Sequence, residues 1–193
     1  MPWDKQFDRE EALDRAMRAF WRRGYEATSI QDLVESMDIN RASIYATYGD
    51  KHALFLAALR MFDDRVRNQT LDKLRTMKDP KASIQKLFEL FLREARSEEG
   101  NRGCLLTNTA LELAAHDPEA AKIVADAQTG IEAFLRQQID AGRASGAIVK
   151  GRSSLEVARG LLASLVGLMV LVRSRPDPRL LESVMKDAMT RLE

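Results

Sequence analysis

Between Tyr25 and Lys51 the chain carries two short apolar patterns separated by too few residues for anything but a tight turn. Each is opened by a residue able to cap a helix. The first helix begins at Thr28 or Ser29, because Thr28 with Gln31, or Ser29 with Asp32, can satisfy orphan N–H groups in the manner of a capping box. Ile30, Leu33, Val34 and Met37 then share one face. The chain breaks at Met37-Asp38-Ile39, since Asn40 suits the cap of a second helix and Ile39 the apolar residue that staples it down. That helix runs from Arg41 to about Tyr48. Ala42, Ile44, part of Tyr45 and Tyr48 make its inner face, which leaves Arg41, Ser43, Ala46 and Thr47 to look outward. Gly49-Asp50 ends it and caps the next helix, so Lys51 stands in a first turn whose free N–H groups suit a phosphate oxygen. Two short helices at this spacing form a helix-turn-helix, and the expected partner is double-stranded DNA.

Phe20, Gly24-Tyr25, Ala27-Thr28-Ser29-Ile30, Asp32-Leu33, Ile39-Asn40, Ile44-Tyr45, Thr47-Tyr48, Lys51 and Leu54 agree in type and spacing with one family. Over roughly its first third the chain resembles the DNA-binding domain of TetR-family transcriptional regulators. It departs from the usual pattern at Ala42, where Gly is common, at Thr47, where His is common, and at Tyr48, where Phe is usual. The resemblance implies that Thr28, Tyr45 and Lys51 grip phosphates and that Arg41, Ala42 and Ser43 meet bases. Ser29, Thr47 and Tyr48 complete the expected interface. It further implies a repressor whose C-terminal helices enclose an effector pocket, whose fourth helix shifts on ligand binding, and whose last two helices pair into a four-helix bundle.

A chain of 193 residues can hold a small DNA-binding domain and a larger second domain, each with its own core. The division expected is 1–50 for the helix-turn-helix domain, 51–76 for a connecting helix and 77–193 for sensing and dimerisation. Net charge is near +1, and in the first sixty residues acids keep pace with bases, so DNA binding must rest on local placement. One cysteine, Cys104, permits no intrachain disulfide, and the separated His52 and His116 make no metal site. No cofactor is expected. The first eight residues lack an apolar core for a signal peptide, which points to the cytoplasm.

The rest reads as helix after helix. Asp8 with Glu11 opens helix one, which Gly24 ends; Phe55, Ala58, Leu59 and Phe62 mark a long fourth helix continuing past Leu71 and Leu74. Asp79-Pro80, Asp117-Pro118 and Asp177-Pro178 each set a capping acid before a proline suited to the first helical position. Another helix begins near Cys104, and Ser153 with Glu156 caps one more. The fold expected is all-α, with about nine helices.

From Gly160 to Val172 the chain is apolar all round, so this helix must be covered on two sides. The run between Arg159 and Arg173, about thirteen residues, reads as too short to cross roughly 30 Å of hydrocarbon. Gly160, Ala163, Ser164 and Gly167 would let another helix approach, either within a monomer or across a homodimer formed by helices 153–174 and 177–192. A two-fold protein would match a near-palindromic operator. Phe62, Phe88, Phe91, Phe134 and Met169, with Asn108 and Glu112 as polar anchors, either wall an effector pocket or fill the core. Cys104, in a first helical turn beside Arg102, is either a thiol sensor favoured by dipole and guanidinium or a small buried filler. The segment around it also looks like one found in TetR regulators that respond to electrophiles or oxidants.

No phosphate loop, zinc-spaced His-Glu pair or Gly-x-Ser-x-Gly is present, so an enzyme is not expected. The function expected is a dimeric, sequence-specific regulator, a repressor released from DNA by a small molecule or by thiol modification. The alternative is a DNA-silent helical module binding a ligand or a protein.

Overall fold

Asp8 accepts hydrogen bonds from the N–H groups of Glu10 and Glu11 and opens α1 (Arg9–Arg23), which Gly24 closes at a positive φ of 85°. The computed structural model describes residues 7–96 and 102–193. Most of the N-terminal segment lacking a signal-like core, and Asn101 ahead of the cysteine, lie outside the described residues. After α1 come α2 (Ile30–Met37) and α3 (Arg41–Tyr48). Next is α4 (Lys51–Asp64), which passes through a π-helical turn (Arg65–Leu71) into a last α-helical turn (Asp72–Arg75). Then follow α5 (Pro80–Ala95), α6 (Leu105–Glu112), α7 (Pro118–Ser145), α8 (Ser154–Ser174) and α9 (Pro178–Thr190). Among the described residues there are nine helices and no strand. The fold is all-α, a helix-turn-helix unit followed by a larger helical bundle.

Local chemistry accounts for most of these boundaries. Asp79, Asp117 and Asp177 each cap a helix whose first residue is the following proline. Ser153 and Glu156 form a reciprocal capping box at α8. The π turn in α4 has no such signature in the sequence.

Two separate cores were expected, but the buried apolar side chains form one continuous cluster. α4 joins them: it packs on α1 at one end and on α7 beyond it, with Phe20 and Phe55 buried on the first side. Trp21 and Phe62 meet edge to face at a ring separation of 4.9 Å across the junction.

One expectation for α8 needs correction. It is a 21-residue helix with a mean hydropathy of 2.0 over its most apolar window, so by length and composition it could cross a membrane. The helix is longer than the apolar run alone, because it extends through Arg159 back to Ser154 and one residue past Arg173. Its packing argues for a bundle helix, since Val157, Ala158, Leu161, Leu165, Leu168, Met169 and Val172 are buried against its own chain. Of the small residues, Gly160 faces α9: a Cβ there would lie 3.3 Å from the Arg191 guanidinium. The Ser164 hydroxyl donates to the Gly160 carbonyl at 3.0 Å. Ala163 is exposed, and a Cβ on Gly167 would meet open space.

Candidate nucleic-acid interface

Of the two possible caps for α2, Ser29 is the one used: its Oγ accepts the Asp32 N–H at 3.1 Å, and the Asp32 carboxylate accepts the Ser29 N–H at 2.8 Å. The same carboxylate takes the Ser29 hydroxyl and the Arg23 guanidinium. These donors, the Ser29 hydroxyl foremost, hold the Asp32 pKa down at about 2. Asp38 turns the chain in the left-handed region at φ 55°, and the Asn40 Oδ1 accepts the Ser43 N–H at 2.8 Å to start α3.

α3 is pinned by Ile44, fully buried. Opposite it, Arg41, Ala42, Tyr45 and Ala46 are exposed, one and four residues apart, so they form a single outward row. Ala42 therefore lies on the outer face, not the inner one that apolar character alone suggests; a methyl group gains too little from burial to decide the rotation of a helix. Ser43, Thr47 and Tyr48 are half-buried at the edges. The Arg41 guanidinium carbon sits 5.6 Å from the Tyr45 ring centroid, and Nη2 lies 3.4 Å from the Tyr45 hydroxyl. This stacking holds the long arginine over the middle of the row. The Tyr48 hydroxyl donates to the Arg9 carbonyl at 3.3 Å, and burial raises its pKa.

Lys51 begins α4, where Asp50 accepts the Ala53 N–H at 2.7 Å. Its ammonium stands 4.3 Å from the Tyr25 ring centroid. Tyr25 in turn lies 4.9 Å from the Phe55 ring and 6.2 Å from that of Phe20. Thr28 is placed otherwise than the resemblance implies. Its side chain is fully buried and its hydroxyl donates to the Gly24 carbonyl at 2.6 Å, so it locks the α1–α2 turn and presents no hydroxyl outward.

Behind this surface lies a cavity of about 250 Å³. Its walls include Trp21 of α1, Phe62 and Thr70 of α4, Phe91 of α5, and Cys104 and Met169. Phe62, Phe91, Cys104 and Met169 thus come together as a pocket would require. Phe88 and Phe134 do not: both are fully buried core residues. Asn108 is also turned away, with its amide donating to the Arg102 carbonyl at 2.9 Å. The Arg102 guanidinium carbon lies 4.3 Å from the Trp21 ring rather than serving the thiol. Cys104 is buried, and burial pushes its thiol pKa up against the lowering effect of the Thr107 and Leu106 N–H groups. The thiolate expected from the helix dipole is therefore not favoured.

Three contacts across the junction have no counterpart in the sequence reading. The Glu112 carboxylate accepts the N–H groups of Tyr25 and Glu26, so it is no wall of the cavity. Asp117 lies 2.7 Å from the His52 Nε2, and the Trp21 indole donates to the Gly103 carbonyl at 3.1 Å.

Residues 12–58 match the family described as bacterial regulatory proteins, tetR family, and residues 80–188 match the tetracyclin repressor-like C-terminal domain. The chain belongs to the TetR family. TetR proteins are DNA-binding helix-turn-helix transcriptional regulators, not enzymes. Among relatives of this TetR protein is the transcriptional regulator YezE of Bacillus subtilis, 35% identical over 119 residues, which span 62% of this chain and 61% of YezE. The transcriptional repressor ComR of Escherichia coli is 29% identical over 97% of this chain and 89% of its own length. A solved structure of CifR, a cysteine mutant bound to 26 base pairs of operator DNA, is 28% identical with a TM-score of 0.84, covering 97% of each chain.

Proposed function

We propose that this TetR protein is a cytoplasmic, dimeric repressor that binds a near-palindromic operator in double-stranded DNA. The observation that carries the reading is the outward row of α3, where a capped, anchored helix presents Arg41, Ala42, Tyr45 and Ala46 to one side. Arg41, Ala42 and Ser43 read bases. Tyr45, Thr47 and Lys51 hold phosphates, with Ser29 and Tyr48 at the margin, and Thr28 supports the turn from inside. The operator-bound CifR structure and the repressor ComR support the DNA-binding reading. Residues 1–50 form the DNA-binding unit, 51–76 the connecting helix, and 77–193 the sensing and dimerising unit.

Release comes from a small molecule in the junction cavity or from modification of Cys104. The cavity touches Trp21 of the first unit and Phe62 of the connecting helix, so an occupant bears on both. A ligand that fits one relative position of the units better than the other shifts operator affinity by that difference. No membrane partner is proposed, since α8 buries Leu161, Leu165, Leu168 and Val172 in its own bundle.

The test is to incubate the protein with sheared genomic DNA of its host, recover the fragments retained at moderate salt, and sequence them beside an Arg41→Ala control. Discrete fragments sharing a near-palindrome are expected. Arg41→Ala should cost about 1–3 kcal/mol and relax sequence preference. Lys51→Ala should weaken all sequences alike and flatten the salt dependence. No enrichment over the control would leave a DNA-silent helical module as the better description.

A further inference from the structure

Glu112 is the last residue of α6, and its carboxylate closes on the loop between α1 and α2. Oε2 accepts the Tyr25 N–H at 3.1 Å and Oε1 accepts the Glu26 N–H at 2.9 Å, across 86 and more positions of sequence. Two consecutive N–H groups pointing the same way make a concavity for an anion, and here a side chain of the second unit fills it. Gly24 allows the fit twice over: its φ is +85°, and a Cβ on it would lie 2.7 Å from Oε2.

What Glu112 holds is the residue beneath Lys51. The Tyr25 ring carries the Lys51 ammonium on its face and rests on Phe55 and Phe20. A second carboxylate, Asp117, meets His52 in the same first turn of α4. The two acids therefore pin both elements that support the lysine, the α1–α2 loop and the start of α4.

We propose that Glu112 is a positioning residue for operator binding: by holding the Tyr25 and Glu26 amides it sets the DNA-binding unit in the orientation that places Lys51 and α3 on DNA. The chain superposes over 97% of its length on an operator-bound relative with a TM-score of 0.84, so the frame that Glu112 holds belongs to a fold that engages DNA. The inference rests on the DNA-binding reading of α3 and Lys51, and is independent of what occupies the cavity.

Glu112→Gln keeps the shape but sets an amide N–H₂ against a backbone donor; Glu112→Ala removes both acceptors. In each, hydrogen exchange of the segment 24–27 should accelerate and operator affinity should fall about tenfold, as expected for losing charge-assisted bonds. Affinity for random DNA should fall less, by the share that Lys51 gives to phosphate contacts, and helical content should stay as in the wild type. If exchange accelerates while operator affinity holds, the contact is structural only and the proposal fails. It fails equally if exchange is unchanged, or if operator and random DNA lose affinity alike. A wild-type protein that selects no operator would instead sink the DNA-binding reading itself, so the two failures are told apart.

Discussion

At the scale of the residue, Asp32 ties the helix-turn-helix to pH. Its pKa lies at about 2, below the ordinary 3.8, because the charged form collects the Ser29 hydroxyl, the Ser29 N–H and the Arg23 guanidinium. A carboxylate depressed on folding contributes stability that is fully present above the unfolded pKa and is lost as pH falls through the folded one. The difference in melting temperature between wild type and Asp32→Asn should thus be constant above the ordinary value of 3.8 and shrink as pH falls toward about 2. A difference that ignores pH would remove Asp32 from this role. Ser29→Ala, which takes away the reciprocal cap, should cost about 1 kcal/mol at neutral pH by chemical denaturation. Cys104 shows the opposite influence, with burial disfavouring its charged form. In the folded protein at neutral pH it should react with N-ethylmaleimide at least about tenfold more slowly than in urea, since the thiolate is the nucleophile. Equal rates would show that the thiol is open to reagents and would strengthen the sensor reading.

At the scale of the element, helix starts were legible because their causes are local. Asp8, Asn40, Asp50, Asp117, Ser153 and Asp177 all cap the helices expected of them, each by bonding an N–H two or three residues ahead. The outward row of α3 was legible only in part. Side-chain polarity placed Ala42 inside, whereas the burial of Ile44 fixes the rotation and turns Ala42 out. Contacts between distant elements left no local signal at all: Glu112 on Tyr25, Asp117 on His52 and Arg102 on Trp21 each depend on how α6 and α7 settle against α1 and α4. The entry to α6 illustrates how such settling is enforced. Gly103 has φ 65°, and a Cβ on it would stand 3.0 Å from the Met169 carbonyl. Gly103→Ala combines backbone strain with a backbone clash, so it should destabilise by more than about 1 kcal/mol, roughly 2–4 °C in a chain of this size. It should also weaken operator binding, because the displaced α6 carries Glu112. A stable variant with normal affinity would separate the start of α6 from the grip on DNA.

At the scale of the whole molecule, a recognition helix that reads one half of a near-palindrome needs a second copy at a fixed spacing. We propose α8 as the seam: Ala163 is exposed, a side chain on Gly167 would meet open space, and Val170 keeps 37% exposure, at intervals of four and three residues. Val184 and Met185 of α9 are half-buried beside it, so the two helices together present an apolar face that the single chain leaves uncovered. Leu165 and Leu168 point the other way into the bundle and are buried, so under this proposal one helix serves both the core and the seam. That double duty explains why the sequence reads as apolar all round, and why the same stretch passes for a membrane span on composition alone. Val170→Glu sets a carboxylate in the middle of the seam without touching the buried side. It should leave helical content and thermal unfolding of the chain intact while shifting sedimentation from dimer to monomer. Each monomer then holds one half-site without the gain of linked binding, so operator affinity should fall by at least about a hundredfold. A variant that remains dimeric would place the two-fold contact elsewhere on the bundle. Loss of dimers without loss of operator binding would mean that a single helix-turn-helix suffices, and the near-palindrome would no longer be required.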